Sequence, residues 1–431
     1  MRNFIRYYFA GVFLILGCHS NENTFGHGAA GKRLQDLLDQ KEYFRLNDQL
    51  NSLKPGLDNE ERLYYQAFVD NAFNLNRQAI EDIDSLFKDY NAALPDSLKV
   101  NLYLLQSDSY FKIFQYAESA QSDSMALDRG AHNSDTAELN DIRNDLLVRN
   151  ALRSISPQQT IIQDSTTIHW VKDRLGLIGI PLKCRGINYE AIFDTRANIS
   201  SISRTFATRL GLKILPVTYE EGSGITGIKF QTGLGIADSL YIGNILIRNA
   251  VFQVMPDSIL YLAQANFSLS IIIGFPIIEE LREIHLHQDG RMVIPLKTSA
   301  SELKNFALDG LDPVIMLGSD GDTLNFHIDL GATSTTLYDA YFEKYKQKII
   351  KESVKKSADF GGAGGVKRKD VYVLPALHLT LGDQTVTVDS VDVLTQKIFP
   401  KERFYGNLGQ DFTGKFREII FNFNYMYIEV K

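Results

Sequence analysis

The sequence predicts a multidomain chain: an all-α helical-repeat N-terminal domain followed by an all-β domain of two similar lobes. Three observations carry that expectation. From about Gly31 to Asn150 apolar residues recur at helical spacing. Beyond Gln159 that period gives way to short β-branched and aromatic runs broken by Gly, Asp and Asn. Within this second region several features return at a single offset, the mark of an internal duplication. The 431 residues suffice for about three domain-sized units at ~150 residues each. At 44% hydrophobic and 23% charged, the chain holds material for packed cores, which excludes wholesale disorder.

Taken in order, the first eighteen residues read as an address. Arg2 and Arg6 form a positive n-region, and Tyr7 to Gly17 is an apolar run short of the ~20 residues a membrane-spanning helix needs. It ends Ile15-Leu16-Gly17-Cys18, which resembles the bacterial lipobox. The resemblance implies a signal peptide over 1–17 and Cys18 as the lipidated first residue, followed by a linker over 18–30. The protein would then be an exported lipoprotein of the cell envelope, on its periplasmic or surface face, tethered to the membrane. An ordinary signal peptide with a chance cysteine is the alternative. Cys184 is the one other cysteine, so a disulfide framework and a CxxC site are excluded. The formal charge of −7 comes from 45 basic and 52 acidic side chains, and no basic strip gathers them, which disfavours a nucleic-acid partner.

A helical domain is expected over 31–152. Leu34, Leu37, Leu38 and Phe44 form one apolar set, and Leu63, Ala67, Phe68, Ala72 and Phe73 another. Tyr64, Ala72 and Ala79 are echoed by Tyr103, Phe111 and Ala117, a spacing that resembles tetratricopeptide-type helix pairs. Such a stack offers a docking face for a protein partner or serves as a plain spacer. A linker follows over 153–164, with Pro157 in it.

The β region divides into lobes over 165–300 and 305–431. Expected strand segments include Leu177–Leu182, Leu240–Ile247, Val371–Leu381 and Glu418–Val430. Phe193-Asp194-Thr195-Arg196-Ala197-Asn198-Ile199-Ser200 aligns with Ile328-Asp329-Leu330-Gly331-Ala332-Thr333-Ser334-Thr335, Asp194 and Asp329 standing 135 residues apart. The same offset relates Gly274 to Gly409 and Arg282-Glu283-Ile284 to Arg417-Glu418-Ile419. Between each Asp and its later glycine lies a glycine-rich hairpin tip, Gly222 to Gly227 in one lobe and Gly361 to Gly365 in the other.

This order resembles the pepsin and retropepsin family of aspartic peptidases over nearly all of 165–431. The family pattern is Asp-Thr/Ser-Gly-Ala, then a small polar residue, any residue, and Ser/Thr, with a later apolar-apolar-Gly and a flap hairpin between. The resemblance implies two β lobes with a cleft between them and catalytic Asp194 and Asp329 meeting there. It also implies Thr195, Ala197, Ser200, Gly331, Ala332 and Thr335 as support for the catalytic turns. Gly224, Ile225, Thr226, Gly227, Gly362, Ala363 and Gly364 become the flap that covers the substrate. Two adjacent carboxyls share one proton, and a water activated between them attacks a peptide carbonyl, so no cofactor or metal is expected.

Both copies depart from the pattern. Arg196 stands where the family has glycine, and Leu330 where it has Thr or Ser. Leu330 removes a hydroxyl from the lattice between the two turns. Arg196 lowers a carboxyl pKa and abolishes the shared-proton state if its guanidinium lies on the aspartates, and spares activity if it turns to solvent or is held by another acid. An aspartic endopeptidase of peptide or protein substrates is therefore the first reading. The alternatives are a degenerate relative that binds extended peptides in the same cleft and a docking module on the helices with the lobes as scaffold. His285 and His287 share a strand face, but nothing nearby completes a metal set. Gly361 to Gly365 lacks the ending of a phosphate loop, and Trp170 reads as core or a linker anchor.

Overall fold

The computed structural model describes residues 6–7, 28–130, 136–223 and 226–431. Cys18, Gly224, Ile225 and the leader apart from Arg6–Tyr7 lie outside the described residues. The chain separates into a helical unit, which also takes in Ala307–Gly310, and a β unit made of 158–306 and 311–431 with Arg6–Tyr7.

In the helical unit the described helices are Ala29–Asp39, Tyr43–Leu53, Asn59–Ala72, Asn76–Tyr90, Asp96–Lys112, Tyr116–Gly130 and Thr136–Leu152. The two apolar sets are buried as the periodicity predicts. Phe44, however, belongs to a second helix, because Lys41 adopts φ +54 and the helix is interrupted between Asp39 and Tyr43. Asn59–Ala72 with Asn76–Tyr90, and Asp96–Lys112 with Tyr116–Gly130, form successive hairpins that turn at Asn74 and Phe114, each at φ +61. Asp58 and Glu61 cap the first of these four helices reciprocally. The interior is partly ionic: Lys112 pairs with Asp108 at 2.9 Å, and Arg149 pairs with Asp123.

Each lobe of the β unit is built on a mixed sheet. In the first, Ile187–Phe193 runs parallel to Ile271–Ile273 with Phe193 beside Ile273, so the strand that ends at Asp194 is pinned by the strand that ends at Gly274. In the second, Asp322–Ile328 runs parallel to Gly406–Leu408 with Ile328 beside Leu408, which places Asp329 and Gly409 alike. Long hairpins, Lys213–Ser223 with Ile228–Ile242 and Val354–Gly362 with Gly365–Leu381, rise from the two sheets. Arg6–Tyr7 lies parallel on the outer edge of Val354–Gly362.

Leu240–Ile247 is not a single strand. Gly243, at φ +61, and Asn244 turn the chain between Ile228–Ile242 and Ile245–Met255, a two-residue hairpin turn of the kind Gly-Asn favours. Glu418–Val430 likewise divides into the hairpin strands Glu418–Asn422 and Tyr427–Val430.

A third sheet joins the lobes, ordered Tyr427–Val430, Glu418–Asn422, Glu283–His287, Arg291–Ile294, Thr166–His169. At its centre His285 sits opposite Ile420, its own counterpart at the 135-residue offset. The pseudo-two-fold axis of the duplication therefore passes through this pair. Trp170 anchors the start of the first lobe, its indole N–H donating to the carbonyls of His287 at 3.2 Å and Arg291 at 3.3 Å.

Candidate active site

The two aspartate turns share one set of bonds to the strands that hold them. Asp194 N–H donates to Ile273 O at 3.0 Å and Asp329 N–H to Leu408 O at 2.9 Å. Phe275 N–H donates to Ala197 O, and Gln410 N–H to Ala332 O, both at 2.8 Å. The Ser200 hydroxyl accepts from Gly274 N–H at 3.0 Å, and the Thr335 hydroxyl from Gly409 N–H at 3.2 Å. Both glycines are needed for space: a Cβ on Gly274 would lie 2.4 Å from Ala197 O, and one on Gly409 2.6 Å from the Ser334 carbonyl carbon.

The turns meet across the axis. A Cβ on Gly331 would lie 2.2 Å from Cγ of Asp194, while Gly331 N–H donates to Asp329 Oδ1 at 2.8 Å. Chained through one residue, these distances put the two carboxyls within about 8 Å of each other. Thr195 links the turns, its hydroxyl donating to Ile328 O at 3.1 Å and accepting from Leu330 N–H at 3.0 Å. Leu330 supplies no reciprocal hydroxyl, so the lattice is one-sided. Its own carbonyl is instead held by the Gln410 side chain at 2.8 Å.

Arg196 lies neither in solvent nor on the aspartates alone. It is 2% exposed, and its Nε donates to Asp312 at 3.2 Å. Nη1 donates to the Asn407 side-chain oxygen at 3.1 Å and to the Tyr338 hydroxyl at 3.3 Å. Asn407 passes the contact on, its Nδ2 donating to Asp329 Oδ2 at 2.8 Å. Burial opposes the guanidinium charge, but Asp312, Tyr338 and Asp329 outweigh it and keep Arg196 protonated.

Both carboxyls keep raised pKa values despite that cation. Burial and then the charge of Asp329 push Asp194 well above the ordinary Asp value. Burial also raises Asp329, against the lowering effects of Arg196, the Asn407 hydrogen bond and the Gly331 amide. A pair held this way retains one proton over a wider range of pH than free carboxyls would.

Of the two hairpins, the second carries its tip to residues beside the Asp194 turn. Gly227 turns at φ +64 beside Thr226, which is buried. In the other hairpin Gly362 pairs with Gly365 around Ala363 and Gly364. Gly364 N–H donates to Ile259 O of the first lobe at 2.9 Å. Ala363 packs on an apolar cluster that includes Ala197, Phe230, Met255 and Leu260.

Asp312, Tyr338 and Asn407 escaped the sequence reading. The signal was present: carried outward from the motif, the 135-residue offset pairs them with Leu177, Ser203 and Ile272, two of which are apolar. His285 is engaged by carboxylates on both sides, Nδ1 facing Glu418 at 2.8 Å and Nε2 facing Glu283 at 2.7 Å. The family model for aspartyl protease matches residues 180–276, which hold Asp194, the first hairpin and Gly274. No curated protein matches the chain.

Proposed function

We propose that the β unit is an aspartic endopeptidase of the pepsin and retropepsin kind, in which Asp194 and Asp329 activate water for peptide hydrolysis. The observation that carries this reading is the close approach of two buried aspartates on matched turns, with Gly331 wedged against Asp194. One carboxyl is ionised and takes a proton from a water, whose oxygen attacks the scissile carbonyl. The other is protonated and donates to the carbonyl oxygen as the tetrahedral intermediate forms. On collapse a proton passes to the leaving nitrogen. An extended peptide would lie beneath the two hairpins, with Thr226, Gly227 and Gly362 to Gly364 above it. The binding-only alternative lets Arg196 sit on the aspartates, whereas the peptidase reading requires it to be turned outward or held by another acid; its pairing with Asp312 supports the latter.

Cleavage of a diverse peptide mixture from pH 3 to 8 tests the proposal. The parent is expected to cleave, and Asp194→Asn and Asp329→Asn to lose at least about 1000-fold, the scale on which a positioned acid or base contributes. Undiminished cleavage by either variant would refute the mechanism.

We further propose that the protein is exported and lipid-anchored through Cys18, which places the peptidase in the cell envelope, and that the helical unit docks a protein partner. Cys18→Ala is expected to move the protein from the membrane fraction to the soluble one. A variant held in membranes as firmly as the parent would exclude the anchor.

A further inference from the structure

The lobes repeat each other's backbone but not the chemistry behind their aspartates. Behind Asp194 the first lobe places Leu177, Ile192 and Ile272, all buried and apolar. At the matching positions the second lobe has Asp312, His327 and Asn407, equally buried. Arg196 crosses from the first lobe into this polar side, where it is paired with Asp312.

We infer that Arg196, Asp312 and Asn407 are positioning residues that fix the negative charge on Asp329 and so leave the shared proton on Asp194. The inference rests on the peptidase reading for its catalytic meaning. Hydrogen bonds to the charged form of an acid favour that form. Asp329 accepts on both oxygens, from Gly331 N–H and from Asn407. Asp194 accepts on Oδ1 from Arg196 N–H, and the Ala197 amide also favours its charged form, while its buried Oδ2 has no hydrogen-bond partner among the described residues. Charged and titratable groups around Asp329 are Asp194, Arg196 and Asp312, with Tyr338 beyond them and the His327–Glu402 pair behind. Asp194 faces Asp329 and Arg196.

Asp312 makes this arrangement workable. A lone guanidinium beside the dyad would favour ionisation of both carboxyls. Paired at 3.2 Å with Asp312, its charge is offset in part, and it favours ionised Asp329 both directly and by holding Asn407 with the amide turned toward Oδ2. Asp329 becomes the base that takes the proton from water. Asp194, whose Oδ2 has no hydrogen-bond partner among the described residues, becomes the acid that donates to the carbonyl oxygen.

The experiment is a ¹³C-carboxyl titration of the full chain by NMR, with Asp194 and Asp329 assigned through their Asn variants. The lower midpoint is expected on Asp329 and the upper on Asp194. In Asn407→Ile, which installs the residue of the first lobe, the lower midpoint is expected to rise by about one pH unit or more, roughly tenfold in proton affinity. The acidic limb of cleavage should move upward with it. A lower midpoint on Asp194, or an unmoved midpoint in Asn407→Ile, overturns the assignment. Should that variant not fold, the order of midpoints in the parent still decides. A parent with the expected order and no cleavage at any pH refutes the peptidase reading while leaving the charge assignment standing.

Discussion

No side chain fits at residue 331, because its Cβ would stand 2.2 Å from the carboxyl carbon of Asp194. Gly331→Ala must therefore displace either the carboxyl or its own turn. A misplacement of about 1 Å at reacting groups costs on the order of 100-fold in rate. Gly331→Ala is expected to lose at least that much cleavage with an unchanged far-ultraviolet circular dichroism spectrum, and a fully active variant would place the chemistry elsewhere. Arg196 occupies the equivalent position of the first lobe, and its side chain runs to Asp312. The identity of residue 196 was legible in the sequence; its partner was not. Asp312 is 116 residues away in the chain, and only the approach of the lobes brings the two together.

Among the elements, the hairpin Val354–Gly362 and Gly365–Leu381 does more than cover its own lobe. Its tip donates a hydrogen bond to Ile259 O, and a Cβ on Gly364 would lie 3.0 Å from Ile228, so it reaches the hairpin of the first lobe. Ala363→Asp would bring a charge against the apolar cluster around Phe230 and Leu260, a burial that costs free energy without a partner. The expected result is a several-fold rise in KM for peptide with kcat less affected. An unchanged KM would mean that this tip does not help hold substrate. The glycine-rich tip could be read from the sequence. That it lies across the opposite lobe depended on strand lengths and twist.

For the molecule as a whole, the sheet between lobes matters because it holds the two halves of the β unit in register. His285 bridges Glu283 of one lobe and Glu418 of the other, and these glutamates are themselves counterparts at the 135-residue offset. Burial alone would raise the Glu418 carboxyl, but the His285 hydrogen bond and the charges of Lys431 and His287 outweigh it and hold it below its ordinary value. A carboxyl held low in the folded state stabilises the fold fully above its unfolded pKa of about 4.3, and that stabilisation is lost as pH falls through the folded value. The melting midpoint of His285→Ala is therefore expected below that of the parent at pH 6, with the gap narrowing toward pH 3. A gap that stays constant with pH would show that His285 contributes packing alone.

By itself the sequence determined the helical and β regions, the duplication with its 135-residue offset, and the pair Asp194 and Asp329. These are written in local periodicity and in repetition, which depend on residues near one another in the chain or on its similarity to itself. The tertiary structure decided the environment of the site: Arg196 held by Asp312, the bridge of Asn407 to Asp329, the one-sided lattice of Thr195, and the use of His285 between lobes. Each joins residues more than seventy positions apart, and each depends on burial. A side chain's charge state and partners follow from what surrounds it in space, which the order of residues specifies only once the lobes have packed.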